Sequence, residues 1–468
     1  MKHALKHSVA LLGLLAAFTT SHVFADTTSN VPDRRAYDHV LSPSGPLTRE
    51  QLLASPAPSN TSINNFGKTT TVKIGDKLTI KAAAASSGNT YTYLRCYYRT
   101  SSNPAAPTTN YIWGINPSSA SYYEITGFWY SDAVIGNMFF SSTSRAALQS
   151  TCTSTLKSNG INQTPAMVFA ADNDLSFNYT VWTNDTSSAA GPINRIIAFG
   201  DSLSDNQNLY NESDWLAPNS TSYYIGHFSN GYNWVDYLAQ NLGLPVVNWA
   251  VGGAGVTTED LVIPGLVEQV QSWQSYMTQA PNYNPANTLF TVFIGGNDLV
   301  NYNSNVSTVL SGEMTAIQTL INSGAKNILV MELPDVSKAP VFQIDTDAST
   351  VQAEVISLRS QLVAYVQGLQ AQYGSALHIQ IFDTYTLFNN VLANPSAYGM
   401  TNTTQSCLNI SSDSSLNYFE SHSLRSGCNS STVGGYMFWD LLHPTTHTHQ
   451  ILGNAVTTFA QANFPSLP

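Results

Sequence analysis

The stretch RIIAFGDSLSD, residues 195–205, joins an apolar run to a serine that lies between acidic side chains. Residues 193–199 are typical of a buried strand, and Gly200 permits a tight turn directly after it. We therefore predict that Ser202 lies just past the carboxyl end of a strand, at the start of a helix. The alternative is that the Ser and Asp side chains only cap this helix. The stretch is not a G-x-S-x-G elbow, because position 204 is serine.

Further apolar runs follow this strand, and helical patterns alternate with them. Strands are predicted at 193–199, 245–250, 288–294, 326–333 and 378–383. The clearest helix has apolar residues at spacings of three and four, namely Val351, Val355, Leu358, Leu362, Tyr365 and Leu369. This alternation predicts an α/β fold, a three-layer α/β/α sandwich with a parallel sheet of the flavodoxin-like kind. In such sheets ligands bind beyond the carboxyl ends of the strands.

The region before the sheet has a different pattern. Short β-type runs separated by Gly, Asn and Ser lie within residues 67–183, and they predict a small β-rich accessory domain. Examples of these runs are TTTVKI, KLTIKA, TYTYLRCYY and FNYTVWT. Residues 184–192 have the composition of a linker, and 193–468 form the predicted catalytic domain. With 468 residues, the chain is long enough for two or three domains.

The N-terminus has the features of an export signal. Residues 1–25 have a basic start, an apolar stretch too short to span a bilayer, and a small residue, Ala25, before a polar segment. We predict cleavage near Ala25 and a secreted protein. Residues 26–66 are rich in Pro, Ser and Asn and are predicted to be a poorly ordered lead-in.

Four cysteines suit an oxidising compartment. They fall into two regions, Cys96 with Cys152 and Cys407 with Cys428, and we predict a disulfide within each region although three pairings are possible. Free thiols or metal ligands are the alternative, but no C-x-x-C spacing occurs. The net charge of −11 gives no electrostatic footprint for nucleic acid or for anionic membrane surfaces.

Three further motifs follow the predicted strands or precede the last helix. They are NWAVGGAG (248–255), FIGGNDL (293–299) and FWDLLHPTTHTH (438–449). Taken singly, each has a structural alternative. The first could be a tight turn or a phosphate cradle, although it lacks the dinucleotide and Walker spacings. The second could be an ordinary Asn/Asp turn. The third could hold a metal through its three histidines, although no HExxH-type carboxylate motif accompanies them.

These four blocks occur in one order, and with them the sequence resembles the SGNH, or GDSL-type, hydrolase family over roughly residues 193–465. The segment GHFSNGYNW (226–234) also resembles part of that family. By motif, the resemblance assigns the family's functional residues to Ser202, Gly253, Asn297, His443 and Asp440.

The chemistry of these residue types agrees with the assignment. A serine hydroxyl needs a base to remove its proton, which His443 can supply when Asp440 holds its other ring nitrogen. Preorganised donors for the oxyanion are the backbone amides of Ser202 and Gly253 and the side-chain amide of Asn297. Because amide donors meet the oxyanion, we expect no metal and no organic cofactor.

Neighbouring residues receive structural predictions. Asp298 is expected to buttress its loop, and Pro444 to occupy the first turn of the closing helix. His447 is expected to be a solvated helix residue, and His449 to pack near the site.

The resemblance extends to a branch of secreted bacterial enzymes that includes thermolabile haemolysins and glycerophospholipid:cholesterol acyltransferases. It implies hydrolysis of phospholipids or lysophospholipids at a membrane surface, with a sterol as a further acyl acceptor. The loop between Cys407 and Cys428 is either an ordinary surface loop or a lid that a protease nicks. The alternatives are a carbohydrate or aryl esterase and, outside catalysis, a secreted binding protein.

Overall fold

The computed structural model describes residues 41–42, 45–46, 90–116, 121–132, 136–171, 176–258, 263–344 and 347–468. The predicted signal segment, most of the predicted lead-in, and the runs TTTVKI and KLTIKA lie outside these residues. Within the described ranges, no helix is long and apolar enough to cross a membrane.

The strands, in chain order, are β1 (Leu41–Ser42), β2 (Gly45–Pro46), β3 (Thr90–Arg99), β4 (Thr109–Trp113), β5 (Glu124–Asp132), β6 (Gly136–Ser141), β7 (Val168–Ala171), β8 (Thr180–Trp182), β9 (Arg195–Gly200), β10 (Val246–Asn248), β11 (Thr288–Phe293), β12 (Asn327–Met331), β13 (His378–Phe382), β14 (Asn402–Ser406) and β15 (Tyr436–Phe438). The α-helices are α1 (Arg145–Ser158), α2 (Asn208–Glu212), α3 (Trp234–Leu242), α4 (Leu266–Met277), α5 (Gly296–Val300), α6 (Val306–Asn322), α7 (Ala348–Tyr373), α8 (Thr384–Ala393) and α9 (Thr446–Asn463).

Five parallel strands form the central sheet in the order β10-β9-β11-β12-β13. Every residue of β9, β11 and β12 is buried, as expected for a sheet covered on both faces. Helix α3 packs against α9 in one outer layer, whereas α4, α6 and α7 pack in series in the other. The predicted three-layer sandwich, with its strand order reversing beside β9, is therefore confirmed.

The buried face of helix α7 agrees with the predicted apolar pattern at all but one position. Its buried residues are Val351, Val355, Leu358, Leu362, Val366 and Leu369. Tyr365, which belongs to the predicted apolar pattern, is only partly buried. Position 366 faces the sheet instead, since it lies one full turn after Leu362 and three residues before Leu369.

A second, mainly antiparallel sheet precedes the first. It runs β4-β3-β5-β6-β8, with β7 also paired to β3, and only β6 and β8 are parallel. The predicted disulfide between Cys96 and Cys152 is present and joins β3 to α1. This arrangement confirms a β-rich region ahead of the α/β sheet.

The two sheets share buried contacts. The rings of Tyr130 and Phe140, from β5 and β6, lie 4.3 and 6.4 Å from the ring of Tyr276 on α4. The guanidinium of Arg195, at the start of β9, lies 3.8 Å from the ring centre of Trp182. The β-rich region is thus packed onto the α/β region. The domain boundaries given above stay predictions.

Candidate active site

Ser202 lies in a turn that follows β9. A Cβ atom at Gly200 would lie only 2.3 Å from the carbonyl oxygen of Phe293, so glycine is required for β9 and β11 to approach here. The next helix begins only at Asn208, so the prediction that Ser202 starts a helix is wrong. The capping alternative applies to Asp205 instead, whose carboxylate accepts hydrogen bonds from two amides in the first turn of α2.

A continuous chain of hydrogen bonds links the three predicted triad residues. With the tautomer that catalysis needs, Ser202 Oγ donates to His443 Nε2 over 2.7 Å, and His443 Nδ1 donates to Asp440 Oδ2 over 2.8 Å. All three residues are at least nine-tenths buried. Burial alone would raise the pKa of the Asp440 carboxyl group, but His443 and the backbone amides that bind the carboxylate lower it below its usual value. Asp440 therefore stays ionised opposite the imidazole.

The loop between β15 and α9 holds the histidine. The amide of Trp439 donates to the carbonyl of His443, which closes the loop, and the backbone of Pro444 pairs with Phe438. Thr445 caps α9, so Pro444 lies before the helix and not in its first turn as predicted. His443 is held by this backbone pairing and not by the helix entrance.

The predicted oxyanion residues Gly253 and Asn297 lie in a loop and in the short helix α5, and a hydrogen bond connects these two segments. Gly253 has a φ of +82°, a conformation that favours glycine. Its carbonyl accepts a 2.6 Å hydrogen bond from the hydroxyl of Tyr302. Asn297 donates one amide hydrogen to the carbonyl of Ala254 over 3.0 Å. The Asn301 amide donates to Asn297 Oδ1 over 2.7 Å and so fixes the orientation of the Asn297 side chain.

Two buried carboxylates hold the glycine-containing loop from either side. Asp298 accepts a hydrogen bond from the amide of Val256, in agreement with its predicted role as a buttress, and Asp205 accepts one from the amide of Gly252. Burial raises the pKa of Asp298 to about 6 and that of Asp201, beside Ser202, to about 7. Two carboxyl groups with raised pKa values are thus adjacent in sequence to site residues, since Asp201 precedes Ser202 and Asp298 follows Asn297.

Two cavities meet at the serine and the histidine. The first, here the loop cavity, is lined by Ser202, Gly253, Asn297, Asp440, His443 and part of the loop between Cys407 and Cys428. The second, here the apolar cavity, also reaches Ser202, Asn297 and His443. Its remaining wall is largely hydrophobic and includes Leu203, Phe293, Leu387, Phe388, Met437 and Leu452.

The disulfide loop, residues 408–427, forms part of the wall of the loop cavity. The predicted Cys407–Cys428 bond closes it. The amide of Asn219 donates to the carbonyl of Tyr418 over 2.8 Å, and the amide of His422 donates to Ser222 Oγ over 2.6 Å. The Tyr418 ring lies 5.5 Å from the His443 ring, so the loop directly contacts the histidine.

The other histidines of the last motif have separate surroundings. His447 is partly exposed, and its Nδ1 contacts the carbonyl of Gly434. His449 is buried and lines the apolar cavity, and burial together with His443 lowers its pKa to about 3. Across the described ranges, no group of three or more His, Cys, Asp or Glu side chains is arranged to hold a metal ion.

Several residues of the site had no signal in the sequence analysis. Tyr223 donates a hydrogen bond to Asp440, while Asn301 and Tyr302 hold the oxyanion loops. Asn301 lies four residues after Asn297, a spacing at which helical side chains meet, and this spacing could have drawn attention to it. The hydroxyl of Tyr302 reaches Gly253, 49 residues away in sequence, and no local pattern points to it. Tyr223 lies 217 residues from Asp440 in sequence, and no local pattern points to it.

The fold and the Ser–His–Asp arrangement define an enzyme that hydrolyses esters. The chain belongs to the GDSL-like lipase/acylhydrolase family, whose model matches residues 196–456. Residues 62–184 match the N-terminal domain of Vibrio dual lipase/transferase. The resemblance that rests on the four sequence blocks is therefore confirmed, and a purely binding role is disfavoured.

Among similar proteins is a thermolabile hemolysin from Vibrio parahaemolyticus, 41% identical over 363 residues, which span 77% of this chain and 86% of that protein. A phosphatidylcholine-sterol acyltransferase from Aeromonas hydrophila is 27% identical over 58% of this chain and 92% of its own length. The secreted effector protein SseJ from Salmonella typhimurium is 25% identical over 58% of this chain and 64% of its own length.

Proposed function

We propose that the chain is a lipase that hydrolyses acyl esters of phospholipids and lysophospholipids, with Ser202 as nucleophile, His443 as general base and Asp440 as the support of the base. The observation that carries this proposal is the hydrogen-bond chain Ser202–His443–Asp440, with links of 2.7 and 2.8 Å. Such a chain is the arrangement that a serine hydroxyl needs to become a nucleophile near neutral pH.

In the first half of the reaction, Ser202 Oγ attacks the ester carbonyl carbon while His443 Nε2 takes the hydroxyl proton. The negative charge that forms on the carbonyl oxygen is met by the amides of Ser202 and Gly253 and by the free amide hydrogen of Asn297. When the bond to the leaving alcohol breaks, the imidazolium returns the proton to that alcohol. An acyl-serine remains.

In the second half, water or another alcohol attacks the acyl-serine and gives its proton to His443. Water yields a fatty acid, whereas a sterol hydroxyl yields a sterol ester. In both cases the proton finally returns to Ser202 Oγ. The proposal that a sterol acts as an acceptor rests on the similarity to the phosphatidylcholine-sterol acyltransferase.

A lipid substrate is supported by the apolar cavity. Its wall has no charged side chain other than Asp201, and it reaches both Ser202 and His443, so a hydrocarbon chain could lie there while its ester meets the nucleophile. An acetyl ester of a carbohydrate has no group that needs such a surface. This difference favours a lipid over the alternative substrates.

Product analysis tests the proposal. Phosphatidylcholine vesicles with and without cholesterol would be incubated with wild-type protein and with Ser202→Ala. We expect fatty acid and lysophospholipid from the wild type, and a sterol ester as well when cholesterol is present. The variant should give none of these three products. Turnover of a soluble acetyl ester with no reaction on phosphatidylcholine would contradict the lipase proposal and support a carbohydrate or aryl esterase.

We also propose that the disulfide loop is a lid over the site, which opens at the membrane surface and which a protease nicks to activate the enzyme. Residues 411–413 are exposed at the loop tip, where nicking concentrates. Deleting residues 410–425 should change the rate on long-chain lipid more than the rate on a soluble ester. An unchanged rate and unchanged chain preference would end the lid proposal.

Export through the segment 1–25 is a further proposal. It is supported by the two disulfides, which suit an oxidising compartment, and by the similarity to a secreted effector. N-terminal sequencing of protein collected outside the producing cell should begin at or near Asp26. Recovery only inside the cell, with Met1 retained, would contradict it.

A further inference from the structure

We propose that Tyr223 is a positioning residue for the triad: its hydroxyl holds the Asp440 carboxylate and thereby sets how strongly His443 binds its proton. This inference rests on the proposed catalytic roles of Ser202, His443 and Asp440. It assigns a role to a tyrosine outside the four sequence blocks.

Four hydrogen bonds reach the Asp440 carboxylate. Its Oδ1 atom accepts from the backbone amides of Leu442 and His443, over 2.8 and 2.7 Å. Its Oδ2 atom accepts from His443 Nδ1 over 2.8 Å and from the hydroxyl of Tyr223 over 2.9 Å. The imidazole and the phenol therefore share one oxygen, and any change in the phenol bond alters the bond to the imidazole.

The chemistry of the pair fixes the direction of the bond. Tyr223 and Asp440 are both buried, with exposed fractions of 0% and 1%. Burial and the adjacent Asp440 raise the pKa of Tyr223 well above 10, so the phenol keeps its proton. An ionised carboxylate can only accept, so Tyr223 donates at every pH at which the enzyme would work.

The donated bond has two consequences for His443. It draws electron density from Oδ2, so Asp440 stabilises the imidazolium less than a bare carboxylate would, and the base releases its proton more readily in the second proton transfer. It also keeps Oδ2 facing the ring nitrogen, because a carboxylate held by four donors cannot rotate freely. Without the phenol, the imidazolium would be more stable and less well oriented.

The disulfide loop helps to hold Tyr223 in place. Tyr223 donates its backbone amide to the carbonyl of Asn219, and Asn219 in turn donates to the carbonyl of Tyr418. The neighbouring Ser222 accepts the amide of His422. The Tyr223 ring lies 6.0 Å from the ring of Tyr418. The segment 219–223 thus connects the disulfide loop to the Asp440 carboxylate.

Other titratable groups around the pair are Asp201, His449 and Tyr418. Burial raises the pKa of Asp201 to about 7, and burial with His443 lowers that of His449 to about 3. Burial together with Asp440 and Asp413 raises the pKa of Tyr418 well above 10. Of these three groups, Asp201 has the pKa closest to neutrality. The Asp201 carboxylate accepts a hydrogen bond from the backbone amide of Leu203, so its influence on His443 should be common to wild type and variant.

The test compares Tyr223→Phe with the matched control Tyr224→Phe, which removes the same atom from the adjacent buried tyrosine. Tyr224 contacts the rings of His227 and Tyr232 and not the triad. On a soluble short-chain ester, Tyr223→Phe should move the acidic limb of kcat/KM up by about half a pH unit to one unit and lower kcat about tenfold, with KM changed less than about twofold. Tyr224→Phe should leave the limb in place.

A second variant and a spectroscopic signal keep the proposal testable if Tyr223→Phe folds poorly. Ser222→Ala, which only loosens the tether to the disulfide loop, should shift the limb in the same direction by a smaller amount. The low-field proton NMR resonance of the His443 Nδ1 proton should move in Tyr223→Phe and stay in place in Tyr224→Phe. This signal can be read in an inactive Ser202→Ala background.

Each outcome decides between the proposals. Suppose that folded Tyr223→Phe shifts neither the acidic limb of kcat/KM nor the resonance of the His443 Nδ1 proton, while Ser202→Ala is still inactive. This result would overturn the role of Tyr223 and leave the proposed triad intact. If Tyr223→Phe does not fold, an unchanged profile in Ser222→Ala would overturn it instead. Full activity in Ser202→Ala would overturn the proposed function, and the inference about Tyr223 with it.

Discussion

Replacing Asn297 by alanine should lower kcat without weakening substrate binding. One amide hydrogen of Asn297 is used by the carbonyl of Ala254, and Asn301 fixes the opposite end of the side chain. The second amide hydrogen is therefore preorganised, and Asn297 lines both cavities beside Ser202. Because the oxyanion exists only in the transition state and the tetrahedral intermediate, this hydrogen contributes to kcat and not to KM.

The expected magnitude follows from the number of donors. Losing one of three donors at an oxyanion costs about 10²–10³ in kcat, equivalent to about 3–4 kcal/mol. Asn301→Ala removes only the neutral hydrogen bond that orients Asn297, which is worth about 1 kcal/mol, so kcat should fall about fivefold.

Initial rates on a soluble short-chain ester separate these effects from lid opening and from lipid aggregation. Wild type, Asn297→Ala and Asn301→Ala would be compared at one pH, with circular dichroism and thermal melting as checks of folding. If kcat of folded Asn297→Ala stayed within threefold of wild type, or if the loss appeared only in KM, the assignment of Asn297 to the oxyanion would be refuted.

Three further predictions concern stability. Although burial opposes the charged imidazolium, Asp236 and the hydrogen bonds to both ring nitrogens raise the pKa of His227 in the folded protein. The stabilisation from protonated His227 is therefore complete below about pH 6.5, the ordinary pKa of histidine, and is lost as the pH rises through the folded-state pKa. The unfolding free energy in urea should accordingly fall between pH 6 and 9, and His227→Gln should remove most of this fall. Burial raises the pKa of Asp298 from 3.8 to about 6, so Asp298→Asn should be more stable than wild type by up to about 3 kcal/mol at pH 8 and equally stable below pH 4. A difference in unfolding free energy between variant and wild type that does not grow in favour of the variant from pH 4 to pH 8 would contradict this prediction. Converting Cys407 and Cys428 together to serine opens a disulfide with a sequence separation of 21 and should lower the unfolding free energy in urea by about 3 kcal/mol relative to the oxidised wild type. Reduction of the wild type, which also opens Cys96–Cys152, should lower it further, and a variant as stable as the oxidised wild type would contradict the prediction.

The five strands of the α/β sheet could be predicted from the sequence because each is a continuous apolar run. All five predicted strands are present, displaced by at most a few residues at their ends. Both disulfides could be predicted from the separation of the cysteines into two regions. The motif residues Ser202, Gly253, Asn297, Asp440 and His443 could be singled out because their four blocks resemble those of the GDSL-type family and occur in its order. Three of the blocks follow strands of the central sheet, and the fourth precedes α9.

Local geometry was harder to predict. A Ser/Asp-rich stretch after a strand resembles a capping sequence and therefore predicts a helix start at Ser202. The structure instead places the cap three residues later, at Asp205. Pro444 was placed inside α9, because proline is common in first turns, yet its backbone pairs with Phe438. Both errors arise where tertiary contacts override a local preference.

The residues that hold the motif residues could not be derived from one sequence. Tyr223 is one of 24 tyrosines, and only the packing of the 219–223 segment under the disulfide loop brings its hydroxyl to Asp440. The packing of the β-rich region onto α4 likewise depends on side chains such as Tyr130 and Tyr276, which no periodicity relates.

The central claim is that Ser202 is a nucleophile activated by His443. The most direct measurement is labelling by a fluorophosphonate probe, followed by intact mass and peptide mapping. We predict one adduct on the peptide that contains Ser202, no adduct in Ser202→Ala, and labelling slowed about 10³-fold or more in His443→Ala. Folded wild-type protein that takes up no probe, or Ser202→Ala that is labelled as fast as the wild type, would contradict the account.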